Sequence, residues 1–143
     1  VPAVPPGARA GKDRRPVDTG VKTDPPDWAI RTKADHLALE QGAYWDQHQA
    51  DAIVRFAETF VRPQHVRGKF RLLQWQARFL QSIYGWRWSD GTRRFRFANL
   101  HVPKKAGKTL LVSIICLFEL FAAGEPSPYV AADAASKENA GQI

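Results

Sequence analysis

A run from Phe95 to Val102 that reads as a strand is stopped by Pro103, and Gly107-Lys108-Thr109 then opens a strongly apolar stretch that lasts to Ala123 and ends at Gly124. Few folds accommodate that order. The segment from Phe95 to Val102 reads as a strand, and the stretch from Lys108 is apolar nearly all round, which predicts a helix covered on several sides. Tyr129 to Ala132 offers a second short strand. Strand, loop, helix, strand is a βαβ unit, and two strands joined by one crossover helix must run parallel. The expected fold class is therefore α/β, with a parallel-sheet βαβ core.

The loop between the first strand and the helix carries the chemistry. Backbone N–H groups at a helix N-terminus point outward and the helix dipole favours negative charge there, so Val102-Pro103-Lys104-Lys105-Ala106-Gly107-Lys108-Thr109 is a candidate phosphate-binding loop. Gly107 lets the backbone approach an anion without a Cβ. Lys108 supplies an ammonium to β- and γ-phosphate oxygens, and Thr109 supplies a hydroxyl to a magnesium ion. The first glycine of the usual pattern is replaced by Val102. In the competing reading, Pro103 to Ala106 is a solvated turn and Lys108 an ordinary first-turn helix residue.

Charge is distributed unevenly around this loop. The chain has 143 residues and a net charge of +7, and residues 62–108 hold twelve basic side chains against Asp90 alone. A basic block ending at a candidate phosphate loop points to a specific anionic site. The hydrophobic fraction of 44% and charged fraction of 24% exclude a wholly disordered chain. Cys116 is the single cysteine, so neither a disulfide framework nor a cysteine-built zinc site is expected. Cys116 reads as a small core residue in a reducing setting. No apolar run is long enough to span a membrane. The chain opens on Val1 and lacks methionine, which reads as a fragment.

Upstream, residues 1–27 are rich in proline and glycine and poor in large apolar groups, and are expected to be a disordered tail or linker. Residues 28–61 read as a helical lead-in. A short helix is expected from Thr32 to Gly42. Asp46 with Gln49 three positions on predicts the start of a second, from about 47 to 61, closed by Pro63. Residues 62–143 then begin the domain that holds the loop, with a helix from Leu72 to Tyr84. Trp86-Arg87-Trp88 followed by Arg93, Arg94 and Arg96 reads as a hairpin with core tryptophans and a solvated arginine face; a nucleic-acid surface is the other reading. His36, His48, His65 and His101 lack metal-ligand spacing.

Several of these segments together resemble a known family. Leu73-Gln74-Trp75-Gln76, Tyr84-Gly85-Trp86, Asp90-Gly91-Thr92-Arg93-Arg94 and Val102 to Thr109 are similar to the N-terminal ATPase region of tailed-phage terminase large subunits. Gly42-Ala43-Tyr44-Trp45-Asp46 and Val54-Arg55-Phe56 resemble the helical lead-in of that family, and the likeness runs from about Thr32 to the end. The resemblance implies a truncated P-loop NTPase, preceded by helices, that uses ATP and Mg2+. Gly107, Lys108 and Thr109 would be the end of the Walker A loop, with Thr109 on the metal and Lys105 and Ala106 lining the phosphates. Lys104 would sense the γ-phosphate, and Gln76 would contact adenine. It also implies double-stranded DNA, a portal protein and a small terminase subunit as partners. The full-length protein would form a homo-oligomeric packaging ring in the host (bacterial) cytoplasm, with a nuclease domain beyond Ile143. Asp133 reads as a strand-terminal or helix-capping residue, so the chain by itself is expected to be inactive. The alternative is a basic nucleic-acid-binding module with no nucleotide role.

Overall fold

The computed structural model describes residues 21–64, 66–124 and 128–131, and the account below concerns these. The element order is β1 (Lys22–Thr23), a 3-10 turn (Asp27–Ala29), α1 (Lys33–Glu40), β2 (Tyr44–Asp46), α2 (Gln47–Phe60), α3 (Gln74–Gly85), β3 (Trp86–Arg87) and α4 (Lys108–Phe121). Local chemistry sets several of the helix ends. Asp46 Oδ1 accepts from the Gln49 amide at 3.0 Å and caps α2, where the sequence pattern places the cap. Asp35 Oδ2 accepts from the Thr32 amide at 2.9 Å and fixes the start of α1. Gly107, at φ 87°, turns the chain into α4.

The helices enclose the larger core. Ile53 and Ala57 of α2, Leu80 and Tyr84 of α3, and Leu111, Ile114 and Phe118 of α4 bury one continuous cluster, into which Phe70 inserts from the connecting loop. The three α4 residues recur at helical spacing. Each fully buried aliphatic or aromatic side chain contributes about 1.5–3 kcal/mol, so this stripe is the main force seating α4. A second cluster of Trp45, Ala50, Trp86, Ala29, Ala38 and Ala43 ties the lead-in to β3. Trp45 packs edge-on against both Trp28 and Trp86, at 5.6 and 6.1 Å between centroids. Gly85 lets α3 approach this cluster, because a Cβ there would lie 2.8 Å from the Trp45 ring.

The sheet departs from the sequence expectation. Its order is β1-β2-β3 and both pairings are antiparallel, with Thr23 opposite Trp45 and Trp45 opposite Trp86. The expected strand from Phe95 to Val102 does not form among the described residues, nor do residues 128–131 form one; Ala132 lies outside them. A parallel ladder requires a neighbour running the same way, and the described residues place none beside Phe95 to Val102. The mixed α/β class holds, while the ordered sheet has one strand from the lead-in, β2, between β1 and β3 from the segments before and after it. Lys22–Thr23, within the segment read as a tail, is an edge strand of that sheet; residues 1–20 lie outside the described residues.

The arginines of the 86–96 segment also differ from expectation, because they turn inward. Arg94 bonds Asp35 at 2.7 Å with both side chains about nine-tenths covered, and its guanidinium lies over the Trp86 ring. Arg93 pairs with Glu119 of α4, which also accepts from the Tyr84 hydroxyl at 2.6 Å. Arg87 donates to the Gly91 carbonyl. Trp86 is core, as its spacing predicts, yet of these arginines only Arg96 is fully exposed. Paired cations hold the lead-in, the turn and α4 together and leave little charge for a nucleic acid to meet here.

Candidate functional site

The loop from Val102 to Gly107 is shaped by two left-handed residues, Lys105 at φ 68° and Gly107 at φ 87°. A lysine pays a steric penalty in that region, whereas glycine does not. The Ala106 amide donates to the Pro103 carbonyl at 3.3 Å and closes the turn. The first helical bond runs from the Leu111 amide to the Gly107 carbonyl. The amides of Lys108, Thr109 and Leu110 come before it and have no backbone acceptor among the described residues. A left-handed turn feeding a helix start aims successive N–H groups at one concavity, which suits an anion.

Gln76 reaches the loop from α3. Its Oε1 accepts from the Leu73 amide at 3.0 Å, and its Nε2 donates to the Ala106 carbonyl at 3.5 Å. The residue is 5% exposed, so both ends of the amide are spent on backbone. The φ of 87° favours glycine at position 107, and a Cβ there would also approach Gln76 Nε2 to 3.0 Å, so the amide would have to shift. The bracing by Gln76 escapes sequence reasoning, since it links positions thirty apart. Only the placement of an amide at the third position of a helix signals half of it.

The charged side chains of the loop are accessible. Lys104, Lys105, Lys108 and Thr109 are exposed, and Lys108 Nζ folds back to the Val102 carbonyl at 3.1 Å. The Thr109 carbonyl accepts from Ser113 one turn on, and Thr109 is exposed at the helix start. Thr109 can give a magnesium ion one oxygen ligand. Among the described residues no three histidine, cysteine or acidic groups converge as a metal site. Asp133 and His65 lie outside the described residues. Burial pushes the Cys116 thiol up, away from the reactive thiolate form. No described helix is long and apolar enough to cross a membrane.

An exposed lysine at a helix start whose first amides have no backbone acceptor among the described residues, in a loop braced by Gln76, defines a candidate phosphate-binding loop. Comparison with known families carries the assignment further. Residues 74–143 match the family model for the terminase large subunit, ATPase domain, so this segment of the chain is similar to that family. The match begins at the first residue of α3 and takes in Gln76 and the whole loop. Neither the curated proteins nor the solved structures searched yield a match to the chain.

Proposed function

We propose that the chain binds ATP with Mg2+ at the Val102 to Thr109 loop, as part of the motor that packages double-stranded DNA into phage procapsids. The observation that carries this reading is the exposed Lys108 at a helix start whose first amides have no backbone acceptor among the described residues, inside the segment that matches the terminase ATPase family. In it, Lys108 leaves the Val102 carbonyl and takes the β- and γ-phosphates. The amides from Lys105 through Thr109 line the phosphates, Lys104 reaches the γ-phosphate, and the Thr109 hydroxyl holds the metal. Gln76 braces Ala106 behind them. Residues 1–27 serve as a tail or linker, 28–61 as the helical lead-in and 62–143 as the start of a P-loop ATPase domain whose βαβ core is parallel. A homo-oligomeric ring, a portal protein and a small terminase subunit complete the motor in the bacterial cytoplasm.

Binding and turnover separate in this reading. Acceleration needs groups that act on the attacking water and on charge developing in the transition state. Among the described residues the loop contributes only cations and amides to that task. The 143-residue chain is therefore expected to bind ATP without releasing phosphate. The test is a titration of the chain with a fluorescent ATP analogue, with and without magnesium, beside a steady-state phosphate-release assay. Saturable magnesium-dependent binding with no release is the expected result, and absence of binding overturns the proposal.

A further inference from the structure

Glu119 is the one charged residue in the strongly apolar run from Leu110 to Ala123. Helix chemistry does not account for it. Glu119 lies in the last turn of α4, where the helix dipole favours cations, so an unpaired acid there opposes the field. Its partners come from two other segments. Arg93 forks onto both carboxylate oxygens, Nη1 to Oε1 and Nη2 to Oε2, the second at 3.3 Å, and the Tyr84 hydroxyl donates to Oε1 at 2.6 Å.

Both partners are held in place before they reach Glu119. Tyr84 is buried near the end of α3 and packs edge-on against Phe118, 5.0 Å between centroids. Burial, reinforced by Glu119, pushes its hydroxyl up, so the group stays a donor across the neutral range. Arg93 sits on a closed turn after β3, where its backbone bridges Arg87, the Trp88 amide donates to the Thr92 carbonyl at 2.9 Å and the Arg94 amide donates to the Trp86 carbonyl at 3.0 Å. The Arg93 guanidinium also lies over the Tyr84 ring, 5.5 Å from its centroid.

α3 thereby holds the loop and its helix at two points. Gln76, Leu80 and Tyr84 are buried at four-residue spacing along one face of α3. At one end of this stripe Gln76 donates to the Ala106 carbonyl at 3.5 Å; at the other, about 12 Å along the helix, Tyr84 donates to Glu119. The middle is apolar, with Leu80 in the same buried cluster as Leu111, Ile114 and Phe118. Apolar contact is non-directional and tolerates small slides and rotations, whereas a forked, charge-assisted bond fixes both. Among the described residues α4 is covered mainly along Leu111, Ile114 and Phe118, while Val112, Leu117, Leu120 and Phe121 are exposed, so its apolar contacts alone grip it from one side.

Resting on the phosphate-loop reading, we propose that Glu119, clamped by Arg93 and Tyr84, is a positioning residue that sets the rotation and height of α4 and thereby places the Lys108 and Thr109 amides, about 16 Å away along the helix, for the phosphates. A slide along the axis of a rigid helix, or a turn about it, is the same at both ends.

The test joins ligand affinity to a ligand-free probe of the loop, on the full 143-residue chain. Glu119→Gln keeps an acceptor for Tyr84 but loses the ion pair, Glu119→Ala loses both contacts, and Arg93→Lys keeps the charge without the fork. Binding of Mg-ATP is followed by calorimetric titration below the unfolding midpoint of every variant. Residues that tune a site from a distance change its affinity by roughly two- to thirty-fold. A loss in that range is expected, larger for Glu119→Ala than for Glu119→Gln, and Arg93→Lys should add nothing once Glu119→Ala is present. Without ligand, the NMR amide signals of Gly107, Lys108 and Thr109 should move in Glu119→Gln. A residue that serves stability alone would lower the unfolding midpoint and leave affinity and these signals at parent values; that result overturns the proposal and leaves the phosphate loop standing. Where the Glu119 variants fail to fold, Arg93→Lys carries the test with the same expected loss and the same refuting result. Failure of the parent to bind Mg-ATP overturns the phosphate-loop reading and this proposal with it.

Discussion

Replacing Arg94 by alanine removes the guanidinium that joins the lead-in to the segment after β3. Arg94 Nη1 bonds Asp35 Oδ1 at 2.7 Å, Nη2 bonds the Ala34 carbonyl at 3.1 Å, and the group lies between the Trp86 and Phe95 rings. Both partners of the ion pair are about nine-tenths covered. Removing one partner of such a pair costs about 3–5 kcal/mol, because a covered charge is left behind. Asp35 keeps the Arg31 and Thr32 amides and the Thr32 hydroxyl, so the lower end, about 3 kcal/mol, applies. For a domain of this size that lowers the unfolding midpoint by more than about 10 °C. Burial by itself would raise the Asp35 carboxyl, but its bonds from Arg31, Arg94 and Thr32 outweigh burial and hold it below the ordinary value of 3.8. A depressed carboxyl adds stability that is complete above the unfolded-state value and is lost as pH falls through the folded one. The gap between parent and variant should accordingly be full at pH 7 and narrow below pH 3.8. Thermal and urea unfolding by circular dichroism at both ends of that range measure it. A loss under about 1 kcal/mol at pH 7, as for an exposed pair, refutes the reasoning.

Gly85→Ala places a methyl 2.8 Å from the Trp45 ring and 3.0 Å from the Ala50 Cβ, so urea unfolding should show a loss of about 1–3 kcal/mol despite alanine's better helix propensity. Gln76→Ala frees the Leu73 amide and unbraces Ala106; ATP and tripolyphosphate should weaken together, with the preference between them kept, in a side-by-side titration. Gly107→Ala combines a positive φ with a 3.0 Å approach to Gln76, so it should reduce ATP affinity by roughly ten-fold while costing about 1–3 kcal/mol of stability, read by titration and by thermal unfolding.

How legible these features are in the sequence depends on whether their cause is local. Asp46 with Gln49 marks the start of α2 and Gly107 the start of α4, because capping acts within a few residues. The loop is legible for the same reason. The antiparallel sheet is not, since strands of two or three residues carry no alternation to read and exist only through pairing between positions 22, 46 and 87. Nor is the buried face of α4, since the helix reads as apolar nearly all round and as covered on several sides, whereas Leu111, Ile114 and Phe118 are buried and Val112, Leu117, Leu120 and Phe121 are exposed. Phe95 to Val102 reads as a strand without forming a ladder, because its apolar residues change phase between Phe97 and Leu100 and a strand preference needs a paired neighbour to satisfy it. Arg93 and Arg94 read as surface charge until Glu119 and Asp35 are seen to face them from 26 and 59 residues away. The same distance hides the bond from Gln76 to Ala106 and the anchoring of Arg78 on Trp28.

Magnesium-dependent binding of a fluorescent ATP analogue by the parent chain and by Lys108→Ala tests the assignment of the loop most directly. Lys108 is exposed and bonds only the Val102 carbonyl among the described residues, so its loss should leave the unfolding midpoint within a few degrees of the parent. A charge-assisted contact to phosphate is worth about 1.5–3 kcal/mol, which corresponds to a weakening of roughly ten- to a hundred-fold. That loss of affinity in a folded variant is the predicted result. Equal affinity in the two proteins contradicts the assignment of Val102 to Thr109 as the phosphate-binding loop.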